Sequence, residues 1–141
     1  MRIIALRPEH ILAVQLQPAQ DFAAGFVTAE QAQGIVAAPG IGWAAEVDGQ
    51  VIACAGIVQM HDERGTAWAM LSADALRHFK TLHRVIGAVL DRAPWQRIEM
   101  TVDVRHDAGC RWAERLGFVQ EGRMRAYTPD GRDCFLYARV K

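Results

Sequence analysis

A thiol and an imidazole stand four residues apart in the stretch RHDAGC, at Cys110 and His106. On a helix this spacing brings both side chains to one face, where a histidine could activate a cysteine nucleophile. A cysteine is more often a buried structural thiol, however, and a histidine just before a helix more often caps it. Both interpretations stay open, and His106 is the stronger candidate for moving a proton.

Carboxylates occur at two further places of interest. Asp103 lies on the polar face of an alternating pattern that ends just before His106, so it is either a general base or a solvated strand residue. The stretch His61-Asp62-Glu63 has metal-ligand residue types, but three adjacent side chains cannot face one ion without strain. A hairpin loop explains that stretch, and we predict no metal site.

Basic residues gather in SADALRHFKTLHR, where Arg77, Lys80 and Arg84 belong to a predicted helix. They form either a solvated helix face or a phosphate contact. The whole chain carries 16 basic and 16 acidic residues, which gives a formal net charge of zero. Any anion site must therefore be local, and we expect no nucleic-acid partner and no membrane partner.

Length and composition predict one domain over residues 1–141, because 51% of the residues are hydrophobic and the chain is long enough to bury a core. The cysteines, Cys54, Cys110 and Cys134, are odd in number and scattered, which indicates reduced buried thiols. The apolar run Ile3 to Leu6 is too short for a signal peptide, and no later run approaches a membrane span. We expect a cytoplasmic protein.

The first half of the chain predicts two helices between strands. Pro8 suits the first position of a helix that Pro18 ends, and Thr28 with Gln31 forms a capping box for a second helix to about Ala38. The Ala-rich stretch from Gln20 is helical or turn-like. Strands are predicted at Ile3 to Leu6, Trp43 to Val47, Val51 to Val58 and Ala67 to Leu71, with an Asp48-Gly49 turn of type I′.

The second half predicts a strand, helix and strand crossover. A helix from Ala75 to Arg92 precedes a strand from Arg97 to Val104, and a helix from Asp107 to Leu116 is stopped by Gly117. A final hairpin joins Val119 to Tyr127 with Cys134 to Val140. The order predicts an α+β fold (mixed α/β), with a mostly antiparallel twisted sheet of six to seven strands flanked by about four helices.

The Asp-Gly hairpin, the long helix after the third meander strand, and the ending VDVRHDAGCRWAERLGFVQEGRMRAYTPDGRDCFLYARVK together resemble the GNAT (Gcn5-related N-acetyltransferase) superfamily. Its members often carry a strand, a short helix, Leu-Gly-Phe and a terminal hairpin. The positions of Trp68, His106 and Trp112 before Leu-Gly-Phe are also similar to small GNAT-like proteins that tailed bacteriophages encode beside their virion genes.

The GNAT resemblance implies a cleft between two splayed strands that receives acetyl-CoA as cosubstrate. Backbone groups of Ala69, Met70 and Leu71, left unpaired by the splay, would pair with the amides of its arm. The family binds pyrophosphate at a glycine-rich turn before the following helix, and this sequence has no glycine there. Side chains of Arg77, His78 and Lys80 would take over that contact.

Proton transfer is the second departure from the family. The tyrosine that many members use as an acid falls on Ala113, and the usual asparagine falls on His106. Asp103 and His106 are then the groups available to accept a proton from the amine, and Tyr127 is a donor for the coenzyme thiolate.

The resemblance thus implies an acyl-CoA-dependent N-acetyltransferase that acts by direct attack of a primary amine, on a small molecule or a protein. The missing glycines and tyrosine favour an alternative, a catalytically weakened GNAT-fold phage protein with a structural, assembly or host-interaction role. Its partner would be a virion or host protein, and its location the host cytoplasm or the virion. No pattern indicates an oligomeric state.

Overall fold

The computed structural model describes residues 1–20 and 27–141. Within these ranges the chain forms seven strands and four α-helices. The strands are β1 Arg2–Ala5, β2 Gly40–Val47, β3 Gln50–His61, β4 Arg64–Leu71, β5 Arg97–Asp103, β6 Val119–Met124 and β7 Cys134–Val140; the helices are α1 Pro8–Ala13, α2 Ala29–Ala37, α3 Phe79–Arg92 and α4 Asp107–Arg115. The predicted α+β class is confirmed. None of these helices is long and apolar enough to cross a membrane.

The seven strands form one sheet in the order β1-β2-β3-β4-β5-β7-β6. Every neighbouring pair is antiparallel except β4 and β5, which are parallel. Helices α3 and α4 pack their apolar sides on one face of the sheet, and α1 and α2 pack on the other. The sheet is therefore covered on both faces, as a mixed sheet with a crossover helix requires.

The parallel pair β4 and β5 stays together for only three residues. The register joins Arg64 to Arg97, Gly65 to Ile98 and Thr66 to Glu99, and it ends there. This confirms the splayed strand pair that the sequence predicted.

An ion-pair network fastens the closed end of this pair. Glu99 accepts hydrogen bonds from Arg64 at 3.0 Å and from Arg97 at 2.9 Å, and Arg97 also forms a bidentate pair with Glu121 on β6. These hydrogen bonds, to Glu121 first and Glu99 second, raise the pKa of Arg97 further above its usual value. Ion pairs thus connect strands β4, β5 and β6 at one end of the sheet.

Two tight turns form as the glycine positions predicted. Asp48 and Gly49 both have positive φ, 50° and 78°, which is the type I′ geometry of a two-residue hairpin. Gly117, with φ 86°, ends α4 in a Schellman motif: its N–H donates to the Glu114 carbonyl and the Phe118 N–H to the Ala113 carbonyl. The turn sends the chain directly from α4 into β6.

The first helix is shorter than the sequence indicated. Helix α1 ends at Ala13, not at Pro18, and Val14 is already extended. The reason is tertiary: Leu16 forms a bridge with Ser72, and the Gln17 N–H donates to the Leu71 carbonyl at 2.8 Å. The segment Leu16 to Gln20, which we call the strap, therefore lies along the end of β4.

Further boundaries also differ from the predictions. The helix predicted from Ala75 begins as a 3₁₀ turn, Asp74–His78, and becomes α-helical only at Phe79. The predicted loop around Asp62 is a tight turn, because β3 and β4 extend to its edges and the His61 Nδ1 accepts a hydrogen bond from the Glu63 N–H. The Ala-rich stretch predicted to be helical or turn-like falls on residues 21–26, outside the described residues.

Gly117→Ala should lower the free energy of unfolding by about 1 kcal/mol, because alanine is strained at a φ of 86°. The matched control is Gly34→Ala in α2, where an added Cβ meets no atom within 4 Å. This control should raise stability by about 0.5 kcal/mol through helix propensity. Urea unfolding of both variants measures the difference, and equal stabilities would contradict the left-handed turn at Gly117.

Candidate functional site

A cleft of about 510 Å³ lies where β4 separates from β5. Its walls are the separated halves of the two strands, the start of α3, the outer face of α4 and the strap. This volume falls within the usual range for small-molecule and cofactor sites. The splay thus produces a site of suitable size in the middle of the sheet.

The backbone of β4 alternates between β3 and the cleft. The Ser72 N–H donates to the Ile52 carbonyl of β3 at 2.9 Å. Because peptide groups alternate along a strand, the backbone of Met70 also faces β3, and the backbones of Ala69 and Leu71 face the cleft. The expectation that Met70 lacks backbone partners is therefore wrong.

Most of the groups on the cleft side of β4 are also occupied. The Gln20 carboxamide donates from Nε2 to the Ala69 carbonyl at 2.9 Å, and its Oε1 accepts from the Leu71 N–H at 3.0 Å. The Leu71 carbonyl is bonded to Gln17. The expectation of unpaired groups is thus wrong for Leu71 and for the Ala69 carbonyl. The Ala69 N–H faces the cleft, and none of the described residues bonds it. Cofactor contacts of these residues stay a prediction.

The basic residues predicted to hold phosphate do not line the cleft. Arg77 and Lys80 are exposed and His78 is half-buried, whereas Leu76 and Phe79 form this part of the wall. Leu76 and Phe79 therefore contact the cleft, although Leu76 is still 50% exposed, and Arg77 and Lys80 face solvent.

Two arginines that the sequence interpretation missed do line the cleft, Arg111 and Arg115 of α4. Both are exposed, and within the described ranges neither forms an ion pair. The sequence could have indicated them through their spacing, because two residues four apart on a predicted helix lie on one face. They are the cations best placed to meet an anion at the mouth of the cleft.

An aromatic cluster forms one wall between α3 and α4. The rings of Phe79 and Trp112 lie 5.1 Å apart at 58°, and the Trp112 Nε1 donates to the His83 Nδ1 at 3.1 Å. Trp112 also packs on the buried core and so joins α4 to the sheet. The cluster fixes the distance between the two helices that border the cleft.

Asp103 reaches the cleft but is held in an ion pair. Its side chain is 3% exposed and bonds to the Arg132 guanidinium and, at 2.8 Å, to the Arg105 N–H. Burial alone would raise the pKa of Asp103, but these hydrogen bonds outweigh burial and lower it below its usual range. Asp103 therefore stays ionised and is a weak base, and its clearest role is to anchor the loop before β7.

His106 lines the cleft and also caps α4, which confirms the capping interpretation. Its Nδ1 accepts a hydrogen bond from the Gly109 N–H at 3.4 Å. Burial lowers the pKa of His106, although the charges of Asp103 and Asp107 oppose this. The bond to Nδ1 assigns the proton of the neutral ring to Nε2, so the ring is a hydrogen-bond donor on its other side.

The remaining candidates lie away from the cleft. Tyr127 is 54% exposed in the loop after β6 and does not line the cleft. Cys110 is half-buried behind the cleft wall, and its Sγ contacts the Asp103 carbonyl at 3.9 Å. Burial and a hydrogen bond to Cys110 raise the pKa of Tyr137 to about 12. The structure therefore brings Asp103, His106 and Ala69 to one site and leaves Tyr127 outside it.

Comparison with known proteins identifies the fold. No protein-family model matches the sequence, and no curated protein matches it. Among solved structures, Ard1 from Thermoplasma volcanium is similar at a TM-score of 0.81 and 15% identity, over 99% of this chain and 96% of that one. The ribosomal-protein-S18-alanine N-acetyltransferase from Escherichia coli is similar at 0.76 and 18%, over 99% and 92%.

A GNAT-family acetyltransferase from Streptococcus pneumoniae is also similar, at a TM-score of 0.68 and 14% identity, over 99% of this chain and 98% of that one. At these identities the similarity concerns the fold alone. The described residues therefore have the GNAT fold, as the family resemblance implied.

Asp103→Asn should lower the free energy of unfolding at pH 7 by about 2 kcal/mol, because Arg132 loses a charged partner and a buried amide replaces the carboxylate. The folded-state pKa of Asp103 is depressed, so its contribution is present above the unfolded-state pKa of about 4 and is lost as pH falls through the lower folded-state value. Urea unfolding from pH 7 to pH 2 should show the difference shrink.

The control for this variant is Asp62→Asn in the exposed turn after β3, which should change stability by less than about 0.5 kcal/mol at any pH. An Asp103→Asn protein as stable as the parent at pH 7 would contradict the anchoring role.

Proposed function

We propose that the protein is an acyl-CoA-dependent N-acetyltransferase that transfers an acetyl group from acetyl-CoA to a primary amine by direct attack. The observation that carries the proposal is the separation of β4 from β5 after Thr66 and Glu99, which opens a cleft of about 510 Å³ through the sheet. The GNAT fold of solved acetyltransferases supports this assignment by analogy.

The cleft fits the thioester end of acetyl-CoA, which supplies an activated acetyl group when bound. The wall from β4 carries the small side chains of Ala67 and Ala69, so a narrow chain can lie close to the strand. The Ala69 N–H faces the cleft as a preformed donor, suited to the carbonyl oxygen on which negative charge develops. Met100 of β5 completes an apolar wall opposite.

The phosphates of acetyl-CoA require cations, and α4 supplies them in this proposal. Arg111 and Arg115 border the cleft mouth and have no competing ion pair among the described residues. The glycine-free 3₁₀ turn Asp74–His78 offers less access to its backbone than a glycine-rich loop would. Guanidinium groups on α4 then replace backbone groups as the anion contact.

In this site a hydrogen-bond donor for the leaving sulfur is better supplied than a base for the amine. Asp103 is paired with Arg132 and binds protons weakly. His106 is neutral above its lowered pKa and presents an Nε2–H, which can hydrogen-bond the sulfur as charge develops on it. The neutral fraction of the amine would then attack the thioester carbonyl; the C–N bond forms, the C–S bond breaks, and the excess proton of the amine ends on the thiolate to give free coenzyme A thiol. The rate should therefore rise with pH until the acceptor amine is deprotonated.

Calorimetric titration with acetyl-CoA tests the proposal directly. We expect micromolar affinity, followed by release of free thiol when a library of small amines and peptides is added. Absence of binding at millimolar acetyl-CoA would remove the transferase assignment.

Arg111→Ala with Arg115→Ala should weaken acetyl-CoA binding about 30-fold, because two charge-assisted contacts to phosphate are lost. Arg77→Ala with Lys80→Ala removes equal charge outside the cleft and should change the affinity less than threefold. Titration at two salt concentrations separates contact from long-range attraction. If the Arg77 and Lys80 double variant loses more affinity for acetyl-CoA than the Arg111 and Arg115 double variant, the phosphates bind at α3 instead.

His106→Ala should lower kcat about tenfold and leave the KM for acetyl-CoA nearly unchanged, because the donor acts on charge that develops in the transition state. His106→Asn separates this role from capping, since an asparagine oxygen can still accept from the Gly109 N–H. The asparagine variant should keep the stability of the parent and still lose rate. Parental kcat in both variants would reject the donor role.

A second candidate is a catalytically weakened GNAT-fold phage protein with a structural, assembly or host-interaction role. The occupied edge of β4, where Gln20 bonds Ala69 and Leu71, favours it, as does the glycine-free turn before α3. Failure of acetyl-CoA to bind would favour this candidate over the enzyme.

A further inference from the structure

The Gln20 carboxamide takes the place of a missing strand residue beside β4. In a parallel ladder, one residue donates its N–H to a carbonyl of the neighbouring strand and accepts from an N–H two residues further along. Gln20 makes this pair of bonds with the Ala69 carbonyl, at 2.9 Å, and the Leu71 N–H, at 3.0 Å. A side-chain amide thus continues the ladder where β5 has moved away.

The carboxamide is held in this position by its own segment. The Gln17 Nε2 donates to the Gln20 Oε1 at 3.1 Å, and the Gln17 backbone N–H is tied to the Leu71 carbonyl. The Gln20 N–H donates to the Gln17 carbonyl at 2.9 Å. Both glutamines line the cleft and are half-buried, so the amide is positioned before any ligand arrives.

We infer that Gln20 is an internal competitor for the edge of β4: it occupies the amide-binding position of the cleft, and an extended ligand with a secondary amide binds there only after Gln20 turns away. This inference rests on the proposed function, because the arm of acetyl-CoA supplies such an amide. The exchange keeps the number of hydrogen bonds at the edge of β4 unchanged, since the ligand amide would bond the same Ala69 carbonyl and Leu71 N–H that Gln20 releases.

The competition has two consequences for binding. The apparent binding constant equals the intrinsic one multiplied by the fraction of molecules in which Gln20 has left the edge, so a small fraction means weak binding. A ligand without an amide at this position cannot replace the hydrogen bonds that Ala69 and Leu71 lose when Gln20 leaves. The cleft therefore favours ligands that carry a secondary amide there. The strap therefore sets both the affinity and the selectivity of the cleft.

The test compares binding of coenzyme A and of pantetheine to the parent, Gln20→Ala, Gln20→Asn and Gln15→Ala. Alanine removes the competitor, and asparagine is one methylene too short to span both partners. Both variants should bind each ligand about tenfold more tightly. Gln15→Ala is the control, because Gln15 is exposed and outside the cleft, and it should match the parent.

Amide hydrogen exchange of Leu71 in the ligand-free protein provides a readout that needs no ligand. Exchange should be faster in Gln20→Ala than in the parent, with the rest of β4 unchanged. Unchanged exchange at Leu71 would overturn the inference by itself.

Equal or weaker binding by both Gln20 variants, with clear binding by the parent, would overturn the competitor role and leave the proposed function intact. Absence of binding by the parent and by both variants would overturn the proposed function and this inference together. Tighter binding by Gln20→Asn alone still supports the inference if Gln20→Ala fails to fold.

Discussion

The form of the cleft depends on the hydrogen bonds that the strap makes with the edge of β4 that β5 has left. The two strands begin as parallel neighbours and pair for three residues. Beyond that point the cleft-side edge of β4 is bonded by Gln17 and Gln20 of the strap, whereas β5 keeps β7 on its other edge. Because the strap supplies partners where β5 has left, β4 separates from β5 without leaving most of these backbone groups unpaired.

The closed end explains why the opening does not spread. Glu99 receives two arginines from β4 and β5, and Trp95 donates to Gln59 at 3.1 Å beside the same pair. Buried or partly buried charges keep their partners, because separating them leaves an uncompensated charge. The ion pairs therefore keep β4 and β5 together at the closed end, and the cleft begins where this pairing stops.

Local sequence signals predicted the elements well where the signal and the tertiary contacts agree. The capping box at Thr28, the Asp48-Gly49 turn and the Gly117 C-cap form as expected, because each is fixed by residues within four positions of one another. The signals failed where distant contacts compete. Helix α1 ends early because Leu16 bridges Ser72, which no local pattern encodes.

The candidate site shows the same division between local and distant information. The sequence located His106 beside a helix start and Asp103 at a strand end, and both line the cleft. The family resemblance assigned phosphate contact to Arg77, His78 and Lys80, because the family binds pyrophosphate at the start of that helix. The direction of each basic helix face depends on how α3 and α4 pack on the sheet, and that packing favours Arg111 and Arg115 as cleft residues.

The sequence by itself determined the order of elements, the helix caps and turns, and the arrangement of a meander followed by a crossover, since these depend on periodicity and on residues close in the chain. Only the tertiary structure decided which backbone groups of β4 are open. That choice depends on the Gln20 side chain, 49 residues before Ala69, meeting a strand edge that β5 has left. Side-chain contacts over such separations arise from packing, and no local pattern specifies them.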